Sequence, residues 1–503
     1  MPKEEMRISP RVGPQPGRWV LSHADIRTVV LGLMLAMFLA ALNQTIVATA
    51  LPTIGRDFRD FELLPWVVTA YLLTSTAVAP LYGKLSDIYG RRAMMLASIG
   101  IFVVGSAACA MASSMIMLIL GRGLQGVGGG GILPLAQAIL ADGVAPRERG
   151  RYQAYMGSVW VTAGLGGPVL GGILAEHFHW SIIFWVNVPV GIIAALMAHQ
   201  SLKRLPRHDR RHRLDLLGAG LMMAGAIPAL LALTWGGTRF PWLSSPILSL
   251  VLLAAVLTVL FAWRLLRASE PFLPLPVLAN PVMRMGSLCT SFSQGVVVGL
   301  TIYLPLYYEL MHGFSAPDAG LALIPIVVMS TPGSIAAGRA MMHLEHYKRV
   351  PVIGLAFSIA GLALLAWKPG LSPATVAVVL SVVAFGIGTS YPVGTVSIQN
   401  AVSRYQVGAA MGAMNFFRGL TAAFIVAVMG AILLTGLGVS PVRGGDLAKA
   451  AADATVGAAD AAPVFRNLFA LGVLCVVASL IALLRMEERP LRGRSEDVPA
   501  PKA

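Results

Sequence analysis

Two positive charges, Arg122 and Arg418, fall in the middle of long apolar runs, and no carboxylate does. An arginine at hydrocarbon depth costs several kcal/mol unless it faces a cavity or a partner, so each is a functional position by default. Around the first, the chain reads LILGRGLQGVGGGGILP (Leu118 to Pro134), which sets Gln125 one helical turn from Arg122. A structural arginine pinned by backbone carbonyls is the plainer alternative. GKLSDIYGRR, Gly83 to Arg92, offers a second chemistry. Gly83 and Gly90 permit a tight reversal, and Arg91 and Arg92 can pair with Asp87 or with lipid phosphates, although an ordinary turn held by basic residues needs the same composition. TAGLGGPVLGG, Thr162 to Gly172, offers a mechanical element. Pro168 removes a backbone hydrogen bond and invites a kink, while Gly167 and Gly171, four apart, present a flat face to a partner helix.

Other patterns dissolve on inspection. Gly126, Gly128 and Gly131 have GxGxxG spacing, but a dinucleotide site needs a preceding strand and a βαβ unit; here the glycines read as close helix contacts. His208 with His212, and His343 with Glu345 and His346, lack a complete ligand set and read as solvated loop residues. Cys109, Cys289 and Cys475 each lie inside an apolar run and read as packing residues. No nucleophile–base constellation or phosphate-cradling loop is present, so the reading is a non-enzyme that needs no metal and no cofactor.

These residues must be positioned by helices in a membrane. Of 503 residues, 56% are hydrophobic and 12% charged, against about 25% charged in soluble domains, and the mean hydropathy is +0.74. Apolar runs long enough to span a bilayer recur near 28–50, 63–82, 94–113, 115–140, 153–174, 181–201, 216–235, 246–263, 285–307, 319–337, 350–367, 374–393, 407–435 and 464–484. Fourteen spans place both termini on one side. Of the 38 Lys and Arg, 29 fall in the termini and the loops on that side, which makes it cytoplasmic by the positive-inside rule. The net charge of +15 is thereby explained by topology with lipid headgroups as counter-surface, and nucleic acid is not a partner. The polar first residues read as a cytoplasmic tail, not a cleaved signal. The expected organisation is a tail (1–27), six spans (28–201), a basic linker (202–215), an inserted pair of spans (216–263), six further spans (285–484) and a second tail (485–503), with a Gly/Ala-rich external loop from Gly436 to Pro463.

GKLSDIYGRR after span 2, ILGRGLQGVGGG in span 4, GLGGPVLGG in span 5 and WSIIFWVNVPVG opening span 6 together resemble the major facilitator superfamily. With LNQTIVATALPTI (Leu42 to Ile54), YLPLYYELMHGFS (Tyr303 to Ser315) and fourteen spans, the chain is similar to its EmrB/QacA type of drug/proton antiporter. The resemblance implies an all-α fold of two six-helix bundles related by a pseudo-twofold axis along the membrane normal, with two inserted helices. It also implies export of hydrophobic or amphiphilic small molecules by alternating access, driven by the proton gradient. Carried over, Gly83, Asp87, Gly90, Arg91 and Arg92 would form a cytoplasmic latch. Asn43, Arg122, Gln125, Glu309 and Arg418 would serve the cavity and coupling, and Gly164, Gly167, Pro168, Gly171 and Gly172 the antiporter signature. A bacterial inner membrane is the expected location; relatives of this type can dock a periplasmic adaptor, which no feature here specifies.

One residue departs from the family pattern. Asn43 stands where an aspartate is usual in span 1, and an amide cannot carry a proton. Asn43 could bond a substrate instead, and Glu309, placed just beyond the outer end of span 9, or Asp87 would have to carry the coupling proton. Two buried cations without a central anion disfavour a cationic drug and favour a neutral or anionic amphiphile. Met34, Met37, Trp160 and Phe416 are candidates for an adaptable apolar lining. A dedicated, uncoupled metabolite exporter and a transport-inactive receptor are the alternatives.

Overall fold

The computed structural model describes residues 23–60, 63–204, 214–437 and 458–491. Among these, fourteen helices are long and apolar enough to cross a membrane. They are Ile26–Phe58, Leu64–Tyr89, Arg91–Ala110, Met115–Gly143, Pro146–Leu174, Ile182–Ser201, Leu216–Trp235, Ser245–Arg267, Pro281–His312, Pro317–His343, Arg349–Trp367, Pro373–Ala401, Val407–Gly436 and Ala461–Arg485, numbered spans 1 to 14. A lone bridge, Gly236 to Phe240, is the β contact found among the described residues. Helices are the expected solution, because hydrocarbon offers the backbone no external partner. Even span 11, with 19 residues, reaches about 28 Å at ~1.5 Å per residue. The chain is therefore an all-α polytopic membrane protein, each helix overlapping one expected span. Most of the basic linker, with His208 and His212, and most of the external loop lie outside the described residues.

The helix ends follow local chemistry and correct two expectations. GKLSDIYGRR is not a loop: span 2 runs through Tyr89 and span 3 begins at Arg91, with Gly90 alone between them at φ 91°. Nothing from Leu81 to Tyr89 breaks a helix, whereas Gly90 adopts a left-handed conformation that only glycine takes cheaply. Span 9 likewise continues past its expected end to His312, where Gly313 caps it at φ 67°. At some other helix starts a side chain supplies the cap. Ser114 accepts from Met117 N (3.2 Å), Asp215 from Gly218 N (3.0 Å) and Asn280 from Val282 N (2.9 Å), each satisfying an end group that would otherwise lack a partner.

Two sets of six spans share one packing scheme. In the first, span 1 packs on spans 5 and 6, span 2 on span 4, and span 3 on spans 4 and 6. In the second, span 9 packs on spans 13 and 14, span 10 on span 12, and span 11 on spans 12 and 14. Adding eight to each number of the first set gives the second, which is how parallel repeats around an axis along the membrane normal must pack. The sets meet along two seams that the same operation exchanges, span 2 against span 13 and span 10 against span 5. The inserted pair attaches at the first seam: span 7 touches both span 2 and span 13, with Trp235 edge-on to Trp66 at 5.4 Å between ring centroids. Span 8 is 11% buried against 67% for span 12, so it lies at the periphery.

The stretch after span 14 is pinned beside the loop before span 11. Lys348 Nζ donates to the Leu484 and Met486 carbonyls, its backbone N–H to Glu488 (3.0 Å), and Tyr347 Oη to the Arg489 carbonyl (3.0 Å). Burial pulls the Lys348 ammonium below the ordinary lysine value, opposed by the neighbouring Glu488 carboxylate.

Candidate functional site

Arg122, 1% exposed, is held by groups of spans 1 and 2 and of its own helix. Its Nε donates to the Val67 carbonyl (2.9 Å) in span 2, and Nη1 donates to Asn43 Oδ1 in span 1 and to Gln125 Oε1 in its own helix, both at 2.5 Å. Gln125 Nε2 donates in turn to Ser106 Oγ of span 3 (2.5 Å), and the Tyr71 ring faces the guanidinium at 4.4 Å. These partners are all neutral: carbonyl and amide dipoles and a ring quadrupole stabilise the cation without an anion. Asn43, Arg122 and Gln125 thus form one hydrogen-bonded group. Two expectations change, since Arg122 does not line a cavity in this conformation and Asn43, fully buried, has no face toward a substrate. Asn43 Nδ2 is left without an acceptor.

The glycines of span 4 explain this density. A Cβ on Gly126 would sit 3.0 Å from Tyr71 Cα of span 2, one on Gly128 would sit 2.6 Å from Phe102 Cα of span 3, and one on Gly131 would sit 2.6 Å from the Tyr82 ring. Span 4 is thus wedged between spans 2 and 3 at backbone contact, the use of glycine that lipid-embedded helices favour.

Asp87 joins the two sets of spans. Its carboxylate, 6% exposed, accepts from Gly408 N (3.1 Å) and Ala409 N (2.8 Å) at the start of span 13, and from Arg91 Nη1 (2.6 Å). Arg91 also donates to Asp142 (2.8 Å) and to Ser86 Oγ (2.5 Å). The carboxylate therefore meets the positive end of a helix, where unpaired N–H groups and the dipole favour an anion. Gly83 stands beside it because a Cβ there would strike the Gly408 carbonyl carbon (2.9 Å) and Gly412 Cα (3.2 Å). Arg92 is not part of this group: its Nη2 lies 2.9 Å from His199 Nε2 of span 6, at an exposed position.

Sequence reasoning missed two further ties at the same end. Gln137 of span 4 accepts through its carbonyl from Gln399 Nε2 of span 12 (3.0 Å) and through Oε1 from Asn415 Nδ2 of span 13 (2.7 Å). At the second seam, Gly150 opposes Gly338, where a Cβ on Gly150 would lie 3.1 Å from Gly338 Cα. This pair occupies the place that Gly83 and Gly408 occupy at the first seam. Only an alignment of the chain on itself would have revealed it, since neither glycine sits in a noticeable motif.

Span 5 divides its signature between two neighbours. A Cβ on Gly167 would lie 2.7 Å from Thr45 Cβ and one on Gly171 2.7 Å from the Ile46 carbonyl, so both press on span 1, where Thr45 Oγ1 also donates to the Ala163 carbonyl (2.9 Å). Gly164 instead faces Val327 of span 10 (3.3 Å), and Gly172 meets nothing within 4 Å. Pro168 is exposed inside a helix that continues to His177; lacking an N–H, it leaves the Gly164 carbonyl without its usual intrahelical donor.

The remaining candidates separate. Arg418 of span 13, half-buried, donates from Nη2 to Gln294 Oε1 of span 9 (3.1 Å) and stands 5.6 Å from the Tyr391 ring of span 12. Glu309 lies within the last turn of span 9, half-buried, and not beyond it. Among the lining candidates, Met37 and Phe416 are buried, Met34 is partly buried and Trp160 is 42% exposed.

Two pseudo-symmetric helix sets, sealed against each other at one end and carrying buried charges, define a membrane carrier and not a catalyst. The chain belongs to the Major Facilitator Superfamily, whose family model matches residues 33–427. It is 31% identical over 406 residues to the multidrug transporter protein MdtP of Bacillus subtilis, covering 80% of this chain and 75% of that protein. It is 34% identical over 419 residues to an uncharacterised MFS-type transporter of Mycobacterium tuberculosis, covering 82% of this chain but 60% of that longer protein. In fold it resembles the human organic anion transporter MFSD10 (TETRAN), with a TM-score of 0.62 at 18% identity, over 90% of this chain and 99% of that one.

Proposed function

We propose that this protein is a secondary active exporter of hydrophobic or amphiphilic small molecules, of the fourteen-span drug/proton antiporter type. It would work by alternating access across a cytoplasmic membrane, with both termini inside. The observation that carries the reading is the breakable seal. At the Asp87 end the halves are joined by hydrogen bonds from Gly408 and Ala409 to Asp87 and from Gln399 and Asn415 to Gln137. The bias of Lys and Arg supports placing that end at the cytoplasm, so the conformation is the one closed to the inside. Similarity to named multidrug transporters supports efflux as the direction.

Proton coupling is part of the proposal. With Asn43 amidic and bound to Arg122, the proton must be carried elsewhere, and Asp87 is better placed than Glu309. A proton on Asp87 would weaken its acceptance from both span 13 N–H groups and from Arg91, loosening the seal, whereas Glu309 sits in the final turn of span 9. A second reading, a dedicated exporter uncoupled from protons, is favoured by the same neutral Asn43. Substrate-induced proton movement in inside-out vesicles holding a pH gradient decides between them. Dissipation by wild type that Asp87→Asn abolishes establishes coupling through Asp87; substrate export without proton movement refutes it.

A further inference from the structure

We propose that Arg418, Gln294 and Tyr391 form the subsite that receives the charged end of an amphiphilic organic anion, a carboxylate or sulfonate on an apolar body. The inference rests on the export reading above and names the substrate class. Arg418 lies 9 residues after Ala409, about 14 Å along the helix from the Asp87 tie at ~1.5 Å per residue. One turn before it, Asn415 bonds Gln137 across the halves. At the next residue, a Cβ on Gly419 would meet Thr76 of span 2 at 2.9 Å. Arg418 thus stands next to a residue packed on the opposite half, at mid-membrane, and still keeps part of its surface uncovered. Arg122, at 1% exposure, has no such opening.

The hydrogen-bond ledger at Arg418 is short of acceptors. Arg91, Arg122 and Arg149 each place Nε on an acceptor: Asp142 (2.8 Å), the Val67 carbonyl (2.9 Å) and the Val144 carbonyl (2.8 Å). That is how a structural arginine is held. Arg418 Nε is buried without a partner, and so is the hydroxyl of Tyr391 beside it. A guanidinium offers five donors in a planar fork, and Gln294 Oε1 takes one. Buried donors left unpaired are costly, and what would satisfy both groups is an acceptor, not a further donor. A carboxylate or sulfonate matches the fork in shape and supplies the opposite charge. A cation would meet Arg418 with no carboxylate in the middle of any described span to offset it.

The test uses the full chain in nanodiscs of phosphatidylcholine alone, which removes anionic lipid as a second source of the same charge. The probes are naphthaleneacetate, its trimethylammonium counterpart and its neutral amide, which share one apolar body. Wild type binds the anion more tightly than the cation. Arg418→Gln lowers anion affinity about tenfold or more and leaves cation affinity unreduced, as loss of a charge-assisted pair requires. Arg418→Lys recovers part of the loss because the charge remains without the fork. Tyr391→Phe lowers anion affinity alone, and it keeps the question decidable if Arg418→Gln does not fold. Equal binding of anion and cation by wild type, or anion affinity indifferent to both Arg418→Gln and Tyr391→Phe, overturns the subsite. Export of the neutral amide from vesicles separates the two levels: amide export with anion binding indifferent to Arg418 defeats the subsite and leaves the export reading. Anion binding through Arg418 without export of any probe does the reverse.

Discussion

Replacing Asp87 by Asn keeps the size of the side chain and one acceptor oxygen but removes the charge that holds the first seam. Asp87 receives two backbone N–H bonds from span 13, at 3.1 and 2.8 Å, and one bond from Arg91 at 2.6 Å. Gly408 N donates to Oδ1 and Ala409 N to Oδ2, and an amide nitrogen cannot accept, so one bond is lost and the other weakened. At roughly 1.5–3 kcal/mol for a bond to an ionised group and roughly 0.5–1.5 for a neutral one, the two together lose about 3 kcal/mol. Arg91 keeps Asp142 at 2.8 Å, which limits the cost of breaking its pair with Asp87 to about 1 kcal/mol, well under the ~3–5 kcal/mol of an abandoned buried charge. The sum, about 4 kcal/mol, corresponds to roughly a thousandfold shift away from the conformation closed at this end. Spin labels at Tyr89, 62% exposed after the seam on span 2, and at exposed Ser403 before span 13 report the separation. Cys109, Cys289 and Cys475 are buried and stay unlabelled. Asp87→Asn is expected to move the distance distribution to longer values. An unchanged distribution in a variant that remains folded would refute the assignment of closure to this carboxylate.

Other positions give sharper failures. Gly150→Val would drive a branched side chain into Gly338 and should hold the second seam apart, read as increased accessibility of a cysteine introduced beside that seam with little change in thermal stability; unaltered accessibility counts against backbone contact there. Arg122→Ala strands Asn43, Gln125 and the Val67 carbonyl in a dry site, a loss of about 2–4 kcal/mol measurable as reduced resistance to denaturant. Asn43→Asp adds the missing anion 2.5 Å from Arg122 Nη1 and should confer proton movement where wild type shows none through this span; a silent variant means the pair is inert. Asp215→Asn weakens both the span 7 cap at Gly218 N and the pair with Arg264 at 3.0 Å, costing about 1–2 kcal/mol, since Arg264 is 34% exposed.

How far the sequence could be read depended on whether a residue's meaning was local. The fourteen apolar runs were legible because a bilayer demands length and composition and little else. Asp87, Arg91 and Gly83 were legible as a group because one short segment carries them all. Gln137, Asn415 and Gln399 were not, for uncharged amides in apolar helices announce nothing until spans distant in sequence meet. Arg122 was half legible. Its depth was evident from the run around it, but its burial came from Tyr71, Val67 and Asn43 folding over it, and so its expected exposure to a cavity failed. Glu309 was misplaced by one turn because polar residues do not stop a helix that Gly313 is needed to end.

The two seams show how a carrier of this kind can be both stable and mobile. Their backbones are equivalent, glycine against glycine at Gly83 with Gly408 and at Gly338 with Gly150, so close approach is built into both. Their chemistry differs. The first seam adds the Asp87 carboxylate and the flank of span 7, while beside the second pair stands Met341 (3.0 Å from a Cβ on Gly150) and no carboxylate occupies the position of Asp87. Contact between glycines gives up little apolar area when it is broken, so such a seam opens at small hydrophobic cost. The hydrogen bonds that close it are few, and each can be exchanged for water at the membrane face. A seal of larger apolar side chains would hold the closed conformation too deeply for a cycle, and a seal of glycine contacts alone would not hold it. One charged tie set on matched glycine contacts lies between these limits, and on the proposed export cycle the charge on Asp87 would be its most direct control.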